Sequence, residues 1–155
     1  EFAARLAGGR AELDASVARL FTYAAWADKW DGAVHHTPIR GVTLAMNEPV
    51  GVLGLAAPDE FPLLGFVSLV APAIAVGNTV IVVPSESQPI AATEFYSVLE
   101  TSDVPDGVIN VVPGGNDAGQ ALVEHPDVRM ISLTGSVNTG KTIMRAAAST
   151  PKPPE

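Results

Sequence analysis

Residues 49–86 read PVGVLGLAAPDEFPLLGFVSLVAPAIAVGNTVIVVPSE. Two short apolar runs, 50–56 and 79–83, each end at or near a proline with polar residues beyond it. Runs of this length bounded by turn residues predict buried strands. The segment between them, 62–76, predicts a helix. Pro62 suits a first helical turn, and Gly77-Asn78 suits a helix stop. The stretch therefore predicts a strand–helix–strand unit with polar groups waiting at both strand ends.

The alternation continues downstream. A helix is predicted over 89–100, with Ser87 or Gln88 near its cap. VPDG at 104–107 leads into a strand at 107–112, PGGNDAG forms a loop, and 118–124 reads as a short helix. A strand at 128–133 and a helix at 138–148 complete the series. Four strands, each followed by a helix, predict an α/β fold: a Rossmann-like open parallel sheet with helices on both faces. Upstream, the apolar spacing of Leu13, Val17, Leu20, Phe21, Ala24 and Ala27 predicts a helix over 10–30. Trp26 and Trp30, four residues apart, are expected to share a face packed on the core. Residues 39–48 read as a strand that either pairs with 50–56 around Glu48-Pro49 or leads to a different layer. Residues 1–148 form a single domain in this reading, and 149–155 a Pro-rich tail without fixed structure.

Bulk composition narrows the function. The chain has 155 residues, 47% of them hydrophobic, enough for one domain with a core. Its net charge of −8, unrelieved by any basic stretch, argues against nucleic acid and membrane as partners. There is no cysteine, which excludes disulfides, thiolate metal sites and thiol nucleophiles within the chain. His35, His36 and His125 have no partners at metal-ligand spacing, so no metal site is expected. No signal-like segment opens the sequence, and the expected location is cytoplasmic. The chain begins at Glu1 without methionine and reads as a piece of something longer.

In an open parallel sheet, ligands bind outside the carboxyl ends of the strands. Those ends are residues 56–60, 83–86, 113–117 and 134–136. Gly135-Ser136, ahead of the last helix, is the best seat for a phosphate, because unpaired N–H groups and the helix dipole would face it. Glu86 at a strand tip could accept hydrogen bonds from a ribose, or simply sit near a helix N-terminus. The G-x-G-x-x-G fingerprint of many dinucleotide sites is absent. A competing signal is GSVNTGKT at 135–142, which matches G-x-x-x-x-G-K-[ST]. In that reading Lys141 reaches phosphates and Thr142 holds magnesium. Against it, the loop follows the fourth strand of the unit, and Pro58 breaks the strand that would carry the acidic residue.

An ordered set of motifs resembles the aldehyde dehydrogenase family: YAAWADK at 23–29, EPVGVLG at 48–54, P-x-x-F-P at 58–62, APAIAVGNTVIVVPSE at 71–86, DGVINVVPG at 106–114, HPDV at 125–128, and LTGS at 133–136 with Gly140. The resemblance implies an NAD- or NADP-binding domain. Ala56 and Pro58 would line the cofactor cleft. Ser85 and Glu86 would lie at the adenosine ribose, Gly115 near the adenine, and Ser136 at the pyrophosphate. It also implies a complete enzyme that oxidises aldehydes to acids, its cysteine and general-base glutamate lying beyond Glu155.

Departures from the family pattern are informative. Val83 stands where the family has lysine, which removes a cation from the ribose and implies weak cofactor binding. Asp59-Glu60 replaces Trp-Asn. That asparagine donates to the oxyanion during hydride transfer, and losing such a donor costs roughly 3–4 kcal/mol. The wording PDE, IVVPSE and LLGFVSLVAPAIA is similar to the degenerate second copy in family 16 aldehyde dehydrogenases, whereas LTGS and NTGK are closer to ordinary members. The alternative reading is therefore a non-catalytic pseudo-enzyme module that assembles its parent protein, by contact with the rest of that chain or by self-association through strand 39–48.

Overall fold

The structure, a computed structural model, describes residues 2–149, with side chains from Gly8 onward. The elements run α1 (Phe2–Trp26), β1 (Ala33–His35), β2 (Thr43–Ala45), β3 (Val52–Ala56), α2 (Pro62–Ala75), β4 (Thr79–Val83), α3 (Ile90–Glu100), β5 (Ile109–Val111), α4 (Asn116–Glu124), β6 (Val128–Leu133) and α5 (Val137–Ser149). Except for Ser149, the Pro-rich tail expected over 149–155 lies outside the described residues.

The predicted alternation is present as a four-stranded sheet of order β5-β4-β3-β6, parallel throughout. Alternate residues of the central strands feed two cores. Leu53, Leu55, Val80 and Val82 meet Phe66, Val67, Val70 and Ala71 of α2 and Ala92 of α3. On the opposite face Gly54 leaves room for α4. A Cβ at that position would stand 2.6 Å from Ile131 Cδ1 and 2.8 Å from Leu122 Cγ. Any larger residue would force α4 off the sheet. Helices therefore cover both faces. α5 packs beside α4 and has no buried residue.

The predicted stop of α2 is built as expected. Gly77 takes a positive φ of 86° just past the helix, a conformation glycine adopts without strain. Asn78, buried, accepts from Gly51 N–H at 3.0 Å and donates to Ala73 O at 3.0 Å. One side chain thus ties the end of α2 to the starts of β3 and β4.

Two expectations about the N-terminal region need correction. Trp26 and Trp30 do not pack on the core, being 52% and 57% exposed. The inward stripe of α1 is Ser16, Leu20 and Tyr23, at helical spacing. Trp26 falls beside that stripe, and Trp30 lies beyond the helix end. The strand predicted over 39–48 shrinks to 43–45 and pairs antiparallel with 33–35, a strand too short to read from sequence. It belongs to a separate ribbon and not to the sheet, so the different-layer alternative holds. Every residue of the ribbon strands is exposed. The first helix, expected over 10–30, spans Phe2–Trp26 instead, while in the alternating unit the boundaries move by a residue or two, α4 starting at Asn116 and β5 spanning only 109–111.

An open apolar groove of about 550 Å³ lies between Leu20 and Tyr23 of α1, Ile74 and Ala75 of α2, and the 103–108 turn. It sits toward the amino ends of the strands, away from the side where a parallel sheet binds ligands.

Candidate functional site

In sequence order the four parallel strands are arranged third, second, first, fourth. The connections leave β3 in opposite directions, so a topological switch point lies between β3 and β6. Because all pairings are parallel, every carboxyl end faces one rim, about 14 Å across at roughly 4.8 Å per strand step. Along that rim stand Gly115 after β5, Ser85 and Glu86 after β4, Ala56 and Pro58 after β3, and Ser136 after β6.

Ala56 is half-buried and paired with Val83 on one side and Leu133 on the other. The rim is stitched by backbone bonds from Ala57 N–H to Val83 O at 3.0 Å and from Thr134 N–H to Ala56 O at 3.5 Å. Pro58 packs against α2 at Gly65, where a Cβ would lie 2.4 Å from Pro58 Cγ. Glu86 is exposed, and its carboxylate rests against Gly115, where a Cβ would approach Oε2 to 2.9 Å. Gly115 is the N-cap of α4 and offers no side-chain acceptor to the helix. Ser136 caps α5: its Oγ accepts Thr139 N–H at 3.1 Å, and its carbonyl accepts Gly140 N–H at 3.0 Å. Glu86 and Gly115 are thus brought together. Ser136 stands on the far side of β3 and shares no hydrogen bond with Ser85 or Glu86 among the described residues.

Sequence reasoning missed the role of Asp59. Its Oδ1 accepts from Ser85 Oγ at 2.5 Å and from Ser87 Oγ at 3.1 Å, while its carbonyl accepts from Gln88 Nε2 at 3.1 Å. Ser85, 5% exposed, also accepts Gln88 N–H at 3.1 Å through the same hydroxyl. The N-cap of α3 is Pro89, with no side-chain cap bond, so neither Ser87 nor Gln88 caps the helix, and Ser85 holds the Gln88 N–H just ahead of it. With Ser85 engaged in this latch, Glu86 is the polar group left facing outward. The signal was available only through the β3–β4 register. Asp59 lies three residues past Ala56, and the two serines lie two and four past its partner Val83.

The hydroxyls of Ser85 and then Ser87 hold the Asp59 carboxyl below its ordinary 3.8. A depressed carboxyl stabilises the fold above its unfolded value and loses that contribution as pH falls through the folded one. Asp59→Asn should therefore lower the urea midpoint at about pH 7, and its deficit should shrink toward about pH 3 as the wild-type carboxyl protonates. A deficit that stays constant with pH would assign the effect to packing.

The triphosphate-loop reading of 135–142 is corrected by the helix boundary. A phosphate-cradling loop keeps its glycine-rich residues out of the helix until the lysine. Here α5 begins at Val137, so Gly140, Lys141 and Thr142 are already helical, and the Thr142 hydroxyl donates to Asn138 O at 3.2 Å. Lys141 points to solvent. Among the described residues no three His, Cys, Asp or Glu side chains are grouped to hold a metal, and no helix is long and apolar enough to cross a membrane.

Comparison with known proteins agrees with this geometry. The aldehyde dehydrogenase family matches residues 1–154. Aldehyde dehydrogenase 1A1 of Gallus gallus is 41% identical over 142 residues, covering 90% of this chain and 28% of that protein. Betaine aldehyde dehydrogenase of Hordeum vulgare is 42% identical over 149 residues, covering 92% of this chain and 29% of that protein. Among solved structures, PnpE from Pseudomonas sp. WBC-3 superposes with a TM-score of 0.87 at 35% identity, over 91% of this chain and 29% of its own. PnpE has also been solved in complex with nicotinamide adenine dinucleotide. The chain thus spans under a third of the length of these relatives. With the family matched over nearly the whole chain, relatives about 40% identical and the same fold in PnpE, the chain belongs to the aldehyde dehydrogenase family.

Proposed function

We propose that the rim is a dinucleotide site and that this chain is the NAD(P)-binding portion of an oxidoreductase that, when complete, converts an aldehyde to a carboxylic acid. The observation that carries the reading is Glu86 resting against Gly115 at the ends of adjacent strands, in a sheet of Rossmann order. A residue without a side chain beside an outward carboxylate leaves a shelf for a flat base next to an acceptor for ribose hydroxyls. Ala56 and Pro58 line the cleft, and Ser85 holds the loop that carries Glu86. Ser136 caps α5 through Thr139, so the Val137 and Asn138 N–H groups at the helix entry are left to meet a pyrophosphate. The dinucleotide, when bound, supplies the hydride acceptor. The chain itself holds no cysteine, so it binds and orients but does not turn over aldehyde alone. Binding is weak in this reading because Val83 replaces the lysine expected at the ribose. Calorimetric titration of NAD+ tests the site. The chain should bind saturably and Glu86→Ala about tenfold more weakly. Equal affinity in both would remove Glu86 from the site and with it the reading.

The exposed ribbon supports a second role, assembly. A lone two-stranded ribbon is marginal in water, and this one presents Val34, Ile39, Val42, Leu44 and Met46 to solvent. Self-association through 39–48, or docking on the rest of a parent protein, would bury them. Leu44→Lys is expected to shift the sedimenting species toward monomer with the far-ultraviolet spectrum unchanged. A wild-type chain that is monomeric at high concentration takes away the physical motive.

A further inference from the structure

The geometry points to Glu12, in α1, as a positioning residue for the wall of the cofactor cleft, an inference that rests on reading the rim as a dinucleotide site. The entry to α2 has no local cap. Its N-cap residue, Phe61, lies in the left-handed region at φ 50°, ψ 64° and makes no side-chain cap bond. Phe61 is the only non-glycine with positive φ among the described residues, and a bulky side chain adopts that conformation only under constraint. Pro62 has no N–H to offer. The next two donors, Leu63 and Leu64, both reach Glu12 Oε1, at 2.8 and 3.1 Å, from 51 and 52 residues away in sequence. The donor after those, Gly65 N–H, returns to Phe61 O at 2.7 Å. The donors from Pro62 to Gly65 are thereby accounted for, and a remote carboxylate does the work of the missing cap.

The consequence lies in the segment between β3 and α2. Residues 57–61 form the part of the rim beside the switch point. They are held at their start by the Ala57–Val83 backbone bond, in the middle by Asp59 with Ser85 and Ser87, and at their end through α2. Gly65, in the first turn of α2, is the surface on which Pro58 rests. Glu12 therefore sets the position of the turn against which Pro58 packs. It keeps Phe61 left-handed and so aims Asp59 at the serines that carry Glu86. The same carboxylate fills the place at α2 where a phosphate would otherwise be attracted, which closes that helix entry to the ligand. Further along, Arg19 Nη1 donates to Ser68 Oγ at 3.2 Å, so α1 and α2 run side by side with a second, independent polar tie. That tie provides the control.

Amide hydrogen exchange and NAD+ titration on the 155-residue chain test the inference. Glu12→Ala should lower protection at Leu63 and Leu64 about tenfold, carry the loosening into 57–61 and 85–88, and weaken NAD+ binding about fivefold. Glu12→Gln keeps an oxygen acceptor and should restore most of both. Arg19→Ala removes a tie between the same helices and should leave exchange at 57–61 and 85–88 unchanged. The inference is overturned if Glu12→Ala leaves those two segments as they were, or if Arg19→Ala loosens them equally, since the effect is then general docking of α1. Should Glu12→Ala fail to fold, Glu12→Asp, which draws the acceptor back by one methylene from Leu63 and Leu64 N–H, takes its place: loosening at 57–61 and 85–88 beyond that of Arg19→Ala is expected, and none, or an equal effect in Arg19→Ala, overturns the inference. If the wild-type chain binds no NAD+, the reading of the rim fails, while the exchange arms still decide whether Glu12 positions the loop.

Discussion

Phe66→Ala is expected to destabilise the chain by about 3–5 kcal/mol, the usual cost of emptying a core site of a phenyl ring. Phe66 is fully buried, and its ring meets that of Phe95 at 5.4 Å with a tilt of 59°. It stands where α2 and α3 meet the sheet, among Leu55, Val67 and Val82. Domains of this size hold on the order of 5–15 kcal/mol in total, so the loss is a large share of what is there. Urea unfolding followed by far-ultraviolet circular dichroism measures it. A shift below about 1 kcal/mol would mean that the α2 layer is not the principal core.

Val83→Lys is expected to tighten NAD+ binding by about ten- to a hundredfold, the worth of roughly 1.5–3 kcal/mol for a hydrogen bond to a charged group. Val83 ends β4, is half-buried, and pairs with Ala56 at the cleft. It stands three residues before Glu86. A lysine there can lay its apolar stem along the sheet edge and keep its ammonium at the rim, so the fold should tolerate it. Calorimetry on both chains reads the gain. No change in affinity, with the sheet intact by circular dichroism, would mean that the ribose does not lie over the end of β4.

The sheet was legible because its signals are local. Apolar runs of five to seven residues, Pro62 at a helix entry and Gly77 at a helix exit each carry their physics within a few positions. The ribbon was not, because 33–35 is too short to show alternation and is defined only by its pairing with 43–45. Trp26 misled for a related reason: helical spacing identifies faces, but only the docking of α1 along Ser16, Leu20 and Tyr23 selects which face turns inward. At the site, Glu86 and Gly115 could be named from strand ends, whereas the Asp59 latch joins residues 26 and 28 apart and the Glu12 cap joins residues more than fifty apart. Such bonds are fixed by strand register and helix docking, which no window of sequence contains.

The most direct test of the rim as a dinucleotide site is a map of amide chemical shifts as NAD+ is added to the chain. The account predicts saturable shifts concentrated at 56–60, 85–88, 114–116 and 134–138, the four loops at the carboxyl ends of the parallel strands. Shifts confined instead to the apolar groove around Leu20, Tyr23 and Val104, or no saturable shift in either the wild-type or the Val83→Lys chain, would contradict it.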